Sequence, residues 1–494
     1  MNTTDYLLEK GSAEDVAIID GGRQTTYAEL RTATATLVAA LAEQRLDSGA
    51  RVALIGPNSL FWVAGYLAVM KLGLVVVPFS DKATLDDVKR NLDIADCRAA
   101  LVDRRSQRRF IGALGGIEII TDDTLHAPVN SYATVPPTDP DADAALMFTS
   151  GTTNLPKAVR ITHGNIQANT DSIIAYLGLT RTDRVLVILP FFYCFGASLL
   201  HTHLRQGASI VLCNSFAYPE TAIEILSGQE CTVLAGVPSS FQLLLRATTY
   251  TSRPLPSLRI VQQAGGRLPP VLINELVSAH PEAQVFVMYG QTEATARLSY
   301  LPPDMLTERI GSIGKGIPGV ELRVLREDMT PVSPGEKGEI YATGRNISPG
   351  YLGNPADSSN KFTKNGLRTG DLAVVDEDGY IFVVDRIDDF IKSWGYRVSS
   401  QEVEAVALQM TDLVSAAAVG VPDDEAGEAI TLFATTRPGS NVSSADILAH
   451  CRAILPKHMV PRTIEIIDVI PVNANGKIAK TRLRDLARSE VPSD

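Results

Sequence analysis

The chain has no cysteine framework: its five cysteines, at positions 97, 194, 213, 231 and 451, show no CxxC spacing, which argues against a zinc site or a set of disulfides. They read as reduced, mostly buried thiols. It also lacks a basic excess, with 45 Lys and Arg against 56 Asp and Glu and a net charge of −11, so nucleic acid and anionic membranes are poor candidates for the main partner. That balance favours a small-molecule site. The residues from Met1 to Asp5 carry neither the basic nor the apolar region of a secretory signal, and a cytoplasmic location without membrane insertion is expected. The longest apolar stretch, Phe61 to Phe79, is interrupted by Lys71 and Gly73. It divides into an amphipathic helix and a strand at 74–77, not a membrane span. Repeats and low-complexity segments are missing too. What remains is a chain of 494 residues, 45% hydrophobic, able to bury a large core in two or more domains.

Local signals order that core. Thr26-Tyr27-Ala28-Glu29 is a capping box that opens a helix to about Gln44, and Arg51 to Ile55 reads as a strand. Further apolar runs at 99–102, 185–189, 210–212, 232–234, 260–262 and 285–288 are separated by helix-length segments, the pattern of helix-covered parallel sheets. After Pro318, reversals at Val332-Ser333-Pro334-Gly335 and Asp376-Glu377-Asp378-Gly379 mark a small antiparallel β unit. From about Asp388 a separate α+β domain is expected. It has a helix capped by Ser399 with Glu402, strands at 416–419 and 430–434, and a helix from Ser443 to Leu455.

One loop concentrates the chemistry. Ala144 to Phe148 reads as a buried strand, and Thr149-Ser150-Gly151-Thr152-Thr153-Asn154-Leu155-Pro156-Lys157 follows it, so hydroxyls, backbone N–H groups and one lysine emerge where open α/β sheets bind ligands. Pro156 stands where a Walker A loop has glycine, which disfavours an ordinary P-loop enzyme. Alone, the segment is either a phosphate loop or a solvated turn. Tyr289-Gly290-Gln291-Thr292-Glu293 follows another strand: an aromatic ring for a base and a carboxylate for Mg²⁺, or a core tyrosine with a helix-start acid. Asp371 after Gly370 suits ribose hydroxyls or an ordinary turn, and Arg386 offers a phosphate-matching fork or a surface ion pair. Lys477 sits on the glycine-containing turn Asn473–Lys477. His201 and His203, two apart without further ligands, read as structural, and the run Asp103 to Arg109 as either a partner surface or a solvated face.

Taken in order, the Thr149–Lys157 loop, Pro190 to Gly196, Tyr289–Glu293, Thr369-Gly370-Asp371, Arg386 through Glu404, and Gly476-Lys477 resemble the adenylate-forming (AMP-binding) superfamily of acyl-CoA synthetases, aryl-acid ligases and nonribosomal peptide adenylation domains. The resemblance covers nearly the whole chain. It implies an α/β protein with a large N-terminal domain of helix-covered sheets plus a small β unit (1–386), and a mobile α+β C-terminal domain (387–494) hinged near Asp388. It implies that a carboxylic acid is activated with ATP and Mg²⁺ to an acyl-AMP, with pyrophosphate release. The acyl group then passes to the thiol of CoA or of a phosphopantetheine arm on an acyl or peptidyl carrier protein. By that resemblance Thr149, Ser150, Gly151, Thr152, Thr153 and Lys157 handle the β- and γ-phosphates, Thr292 the α-phosphate, and Glu293 the metal. Gly266 and Tyr289 flank the adenine, Gly265, Gly290 and Gln291 also belong to the nucleotide site, and Asp371 binds the ribose hydroxyls with Arg386 assisting. Lys477 is the implied catalytic lysine, replaced after domain rotation by the segment with Lys392 and Gly395 beside the thiol tunnel.

Three positions depart from the family pattern: Asn154 and Ala158 stand where the phosphate loop usually has glycine, and Asp385 precedes Arg386 where glycine is more frequent. The acid pocket implied by alignment comprises Tyr193, Phe195, Ser198, Gly236, Gln262, Gln263, Ala264, Met288, Ala296 and Arg297. No acidic residue occurs between Leu186 and Gln206, where amino-acid-activating relatives hold an ammonium group. A compact aryl or functionalised acid is therefore expected, with Arg297 facing a second carboxylate or an oxygenated ring, turning outward, or pairing with a protein acid. Three other readings stay open. They are an amino-acid or β-amino-acid adenylation enzyme, a ligase that uses an amine acceptor, and a regulatory binding protein with a degenerate site.

Overall fold

The computed structural model describes residues 1–127, 138–149, 156–386 and 390–489. Four sheets carry the chain. The first is six-stranded, in the order Glu118–Thr121, Cys97–Val102, Arg51–Ile55, Val75–Phe79, Asp143–Thr149 and Lys157–Thr162, parallel except for its last pair. The second has nine strands, with the parallel run Gln284–Tyr289, Ile260–Gln263, Val233–Gly236, Arg184–Val187 and Ser209–Leu212 at its centre. Both are built from the apolar runs visible in the sequence, and in parallel sheets such strands are buried on both faces. In the parallel run, strand ends at Tyr289 and Gln263 point toward one edge, which is where ligands of open α/β sheets sit.

The helix Leu60–Lys71 is buried on every side from Phe61 to Met70. It packs into the core cluster that joins both sheets, against Val52 and Leu54 of one and beside Val185 and Ile210 of the other. The expected amphipathic helix is thus a fully apolar core helix, because a helix between two layers has no solvent face to keep polar. The strand after it is Val75–Phe79. The capping box at Thr26 forms with both reciprocal bonds and opens Tyr27–Glu43.

A third, antiparallel sheet of five strands includes Gly338–Gly344, Gly366–Val375 and Ile381–Arg386. The reversals at Gly335 and Gly379 both use positive φ, +80° and +83°, as such turns require. From Phe390 onward the strands form their own sheet, with Leu413–Asp423 and Gly427–Thr436 at its heart and Ser444–Ile454 packed beside it. The box at Ser443 and Asp446 is complete. That at Ser399 is not: the residue holds the N-cap position of Ser400–Ala407, but its hydroxyl is buried without a partner and caps nothing. The Asp388 hinge lies outside the described residues. No helix among the described residues is long and apolar enough to cross a membrane.

Candidate active site

The strand Gln284–Tyr289 delivers Tyr289 to the sheet's edge, and a short 3-10 turn at Thr292–Ala294 follows at once. The Tyr289 hydroxyl donates to Asp371 Oδ2 at 2.5 Å, bringing the ring of one sheet to the carboxylate of another. Asp371 is 2% exposed and lies opposite Arg386 in the antiparallel register. The Arg386 side chain, like all of Ser150, Gly151, Thr152, Thr153 and Asn154, lies outside the described residues. Glu293 is buried, and its Oε1 accepts the Tyr351 hydroxyl at 2.8 Å. Burial and the Glu293 charge push the Tyr351 phenol well above its usual range. A hard carboxylate oxygen suits Mg²⁺. Among the described residues no group of three acidic, His or Cys side chains could hold a metal.

Lys477 meets this group from the C-terminal domain. Gly476, at φ +78°, turns the chain over, and its carbonyl accepts the Ser239 hydroxyl of the large domain. Lys477 Nζ lies 5.6 Å from the centroid of the Tyr193 ring. Gly265 makes room for it: a β-carbon there would sit 3.6 Å from Lys477 Cε, 3.4 Å from the Tyr193 hydroxyl and 2.9 Å from Val237 Cγ1. Thr292 donates to Cys194 Sγ at 3.5 Å, and burial pushes that thiol up. Tyr193, Cys194, Gly265, Thr292 and Lys477 therefore converge although the chain separates them by up to 284 positions. Gly266 is exposed beside them and accepts the Gln263 amide at 2.8 Å.

The docking that places Lys477 has an anchor that sequence reasoning missed. Arg246, 3% exposed on the helix Pro238–Ala247, donates to the carbonyls of Leu408, Met410 and Leu413 at 2.8, 3.2 and 2.6 Å and pairs with Glu275 at 2.6 Å. Those carbonyls close the C-terminal end of Ser400–Ala407, where a cation complements the helix dipole. The only sequence signal was a lone arginine in an apolar helical run.

Other expected residues are placed differently. Lys157 pairs with Asp357 Oδ2 at 2.7 Å, which holds that carboxyl below its usual range. Ala158 sits inside the regular strand Lys157–Thr162, buried and paired with Phe148, so glycine is not needed there. Lys392 and Gly395 lie on the exposed hairpin joining Phe390–Ser393 to Tyr396–Ser399, with open space around Gly395. They are not gathered with Lys477.

Of the residues expected to line an acid pocket, Phe195, Ala264, Met288 and Ala296 share one core cluster, Gly236 packs against Phe241, and the Ser198 hydroxyl donates to the Phe195 carbonyl at 2.7 Å. Arg297 does not turn outward: it is 2% exposed, and among the described residues no carboxylate pairs with it. His201 and His203 are buried and bonded to Tyr66 and to the Leu199 carbonyl, and Arg104 and Arg109 are used by Asp123 and by the carbonyls of Asp81 and Ala83.

The model of the AMP-binding enzyme family matches residues 9–352, and that of the AMP-binding enzyme C-terminal domain matches 402–477. The chain is 30% identical to a feruloyl-CoA synthase of Amycolatopsis sp., over 96% of each chain. It is 29% identical to the 2-succinylbenzoate–CoA ligase of Bacillus velezensis, over 99% of each. The solved o-succinylbenzoate coenzyme A synthetase of Bacillus subtilis, in complex with ATP and magnesium ion, superposes with a TM-score of 0.84 at 27% identity, over 98% of this chain and 99% of that one. These matches support ATP-dependent acid activation followed by transfer to CoA. The chain belongs to the AMP-binding enzyme family and is an AMP-forming acid–thiol ligase.

Proposed function

We propose that this ligase activates a compact aryl or otherwise functionalised acid, and that Lys477 is the group that drives the first half-reaction. The observation that carries this is the docking of Lys477 beside Tyr193, Gly265 and Thr292, on the large domain's strand ends. The carboxylate enters past Tyr193 and attacks the α-phosphate in line, and pyrophosphate leaves. The Lys477 ammonium bridges the attacking oxygen and the α-phosphate, where negative charge accumulates. Thr292 orients the α-phosphate, Asp371 holds the ribose with Arg386 beside it, and Tyr289 covers the base. Glu293 would hold Mg²⁺, which neutralises phosphate charge when bound. Lys157 exchanges Asp357 for the departing pyrophosphate.

Lys392 and Gly395 then serve the thiol step, after a rotation near Asp388 that withdraws Lys477. CoA is the acceptor, and a carrier protein's phosphopantetheine arm presents the same thiol. Five free, buried cysteines fit a cytoplasmic setting. Two aryl acids among the relatives' names, feruloyl and 2-succinylbenzoate, favour a ring-sized acid.

Acid-dependent ATP–pyrophosphate exchange over aryl, aliphatic, β-amino and α-amino acids tests the substrate class, and exchange confined to α-amino acids would refute it. Lys477→Ala should lower exchange by about 100-fold or more, the scale of losing one oriented charge-stabilising group. Thioester formation from supplied acyl-AMP should persist. Normal exchange in that variant would remove Lys477 from the adenylation step.

A further inference from the structure

The segment after Glu293 is strained at one position. Thr295 is β-branched yet has φ +65° and ψ −45°, a conformation such residues rarely adopt. The Ala296 N–H closes this tight turn on the Ala294 carbonyl at 2.7 Å, and the Thr295 hydroxyl fixes it on the Asn346 carbonyl at 2.7 Å. Gly290 permits the turn to pack, since a β-carbon there would lie 1.9 Å from the Ala296 carbonyl oxygen. What the turn achieves is to tuck Arg297 inward.

Arg297 is 2% exposed. Its Nε reaches Met288 Sδ at 3.3 Å, and its guanidinium carbon lies 4.0 Å from the centroid of the Phe195 ring. Nη2 is buried without a hydrogen-bond partner. Both amide atoms of Gln262 are buried and unpartnered too. Side-chain alternation along Ile260–Gln263 turns Gln262 to the face that carries Ile260, Phe286 and Met288, away from Gln263.

Arg297 has the Tyr176 hydroxyl, Met288 Sδ and the Phe195 ring around it but, among the described residues, no carboxylate; a guanidinium out of water without an anionic partner costs several kcal/mol, and a strained turn costs on the order of 1–3 kcal/mol more. A fold keeps both where a ligand completes the site. None of the nucleotide-handling roles requires Arg297. We infer that the acid substrate carries, besides the carboxylate that is activated, a second anionic group received by the Arg297 guanidinium, with the Gln262 amide donating beside it. The planar fork matches a carboxylate in two parallel bonds, as a neutral oxygen does not. Lys477 Nζ lies 5.6 Å from the Tyr193 ring and the Arg297 guanidinium 4.0 Å from the ring of Phe195, two residues on, so the two anionic groups of the substrate are joined by a short spacer, a ring or a few carbons. The inference rests on the ligase reading above.

The test is pyrophosphate exchange by the full chain with matched probes: isophthalate against its monomethyl ester and 3-methylbenzoate, and glutarate against its monoamide. The dicarboxylates should exceed their neutral counterparts by about 30-fold or more in kcat/KM, the scale of a desolvated charge pair. Arg297→Met should erase that preference, and its thermal melting transition, compared with that of the unaltered protein, reports whether the variant folds. Arg297→Lys should keep part of the preference, and decides the matter should Arg297→Met fail to fold. Neutral acids preferred by the unaltered protein, or a preference that survives Arg297→Met, would overturn the inference. Exchange with no acid at all would instead sink the ligase reading, and the inference with it.

Discussion

One hydroxyl links Asp371, the carboxylate proposed to hold the ribose, to a second sheet. Tyr289 donates to Asp371 at 2.5 Å across two sheets, and a hydrogen bond to a charged group is worth about 1.5–3 kcal/mol. Tyr289→Phe should therefore raise KM for ATP about 10-fold or more with kcat little changed. Exchange at varied ATP measures it, and an unchanged KM would mean that the hydroxyl does not position Asp371. At this scale, Thr292, Glu293 and Lys477 could be picked out as candidates without a structure because each stands on a turn after a strand or beside a glycine, and Asp371 because it follows Gly370. Asp357 on Lys157, Tyr351 on Glu293 and the unpaired state of Arg297 were not. Each depends on a contact over 58 positions or more, or on the lack of one, and neither leaves a local pattern.

Elements were legible in proportion to how far local chemistry fixes them. The capping box at Thr26 formed where it was read, because its bonds close within three residues, and the helix read from Ser443 opens with a box of the same kind. Ser399 matched the same pattern and failed, its hydroxyl buried without a partner. The helix Leu60–Lys71 read as amphipathic and is buried all round, a property that its neighbours decide. Arg246 belongs to this scale, since it ties one helix to the carbonyl end of another, 162 positions on. Losing that tie weakens the pose that brings Lys477 to the site. Arg246→Met should slow acid-dependent exchange about 10-fold or more, the scale of losing one hydrogen bond to a charged group, and leave thioester formation from supplied acyl-AMP intact. Equal losses in both half-reactions would show that Arg246 only supports the large domain.

Over the whole molecule, three buried histidines make stability depend on pH. Burial lowers His163 and His203 to about 4 and His201 to about 3, against about 6.5 in the unfolded chain. Between those values the unfolded chain binds more protons, so stability is fully present above about pH 6.5 and falls as pH drops toward 4. Urea unfolding at pH 7 and pH 5 should differ by a few kcal/mol, and His201→Gln should narrow the difference. A flat profile would mean that these rings accept protons in place.

The sequence by itself determined the reaction class and the α/β sheets, because those rest on side-chain type, short-range pattern and strand-to-loop position. Only the tertiary structure decided that Lys477 is docked, that Arg246 holds the docking, and that Arg297 is a buried cation without an acid beside it. Those facts concern which distant groups share a volume and how much water they lose, and a linear pattern encodes neither.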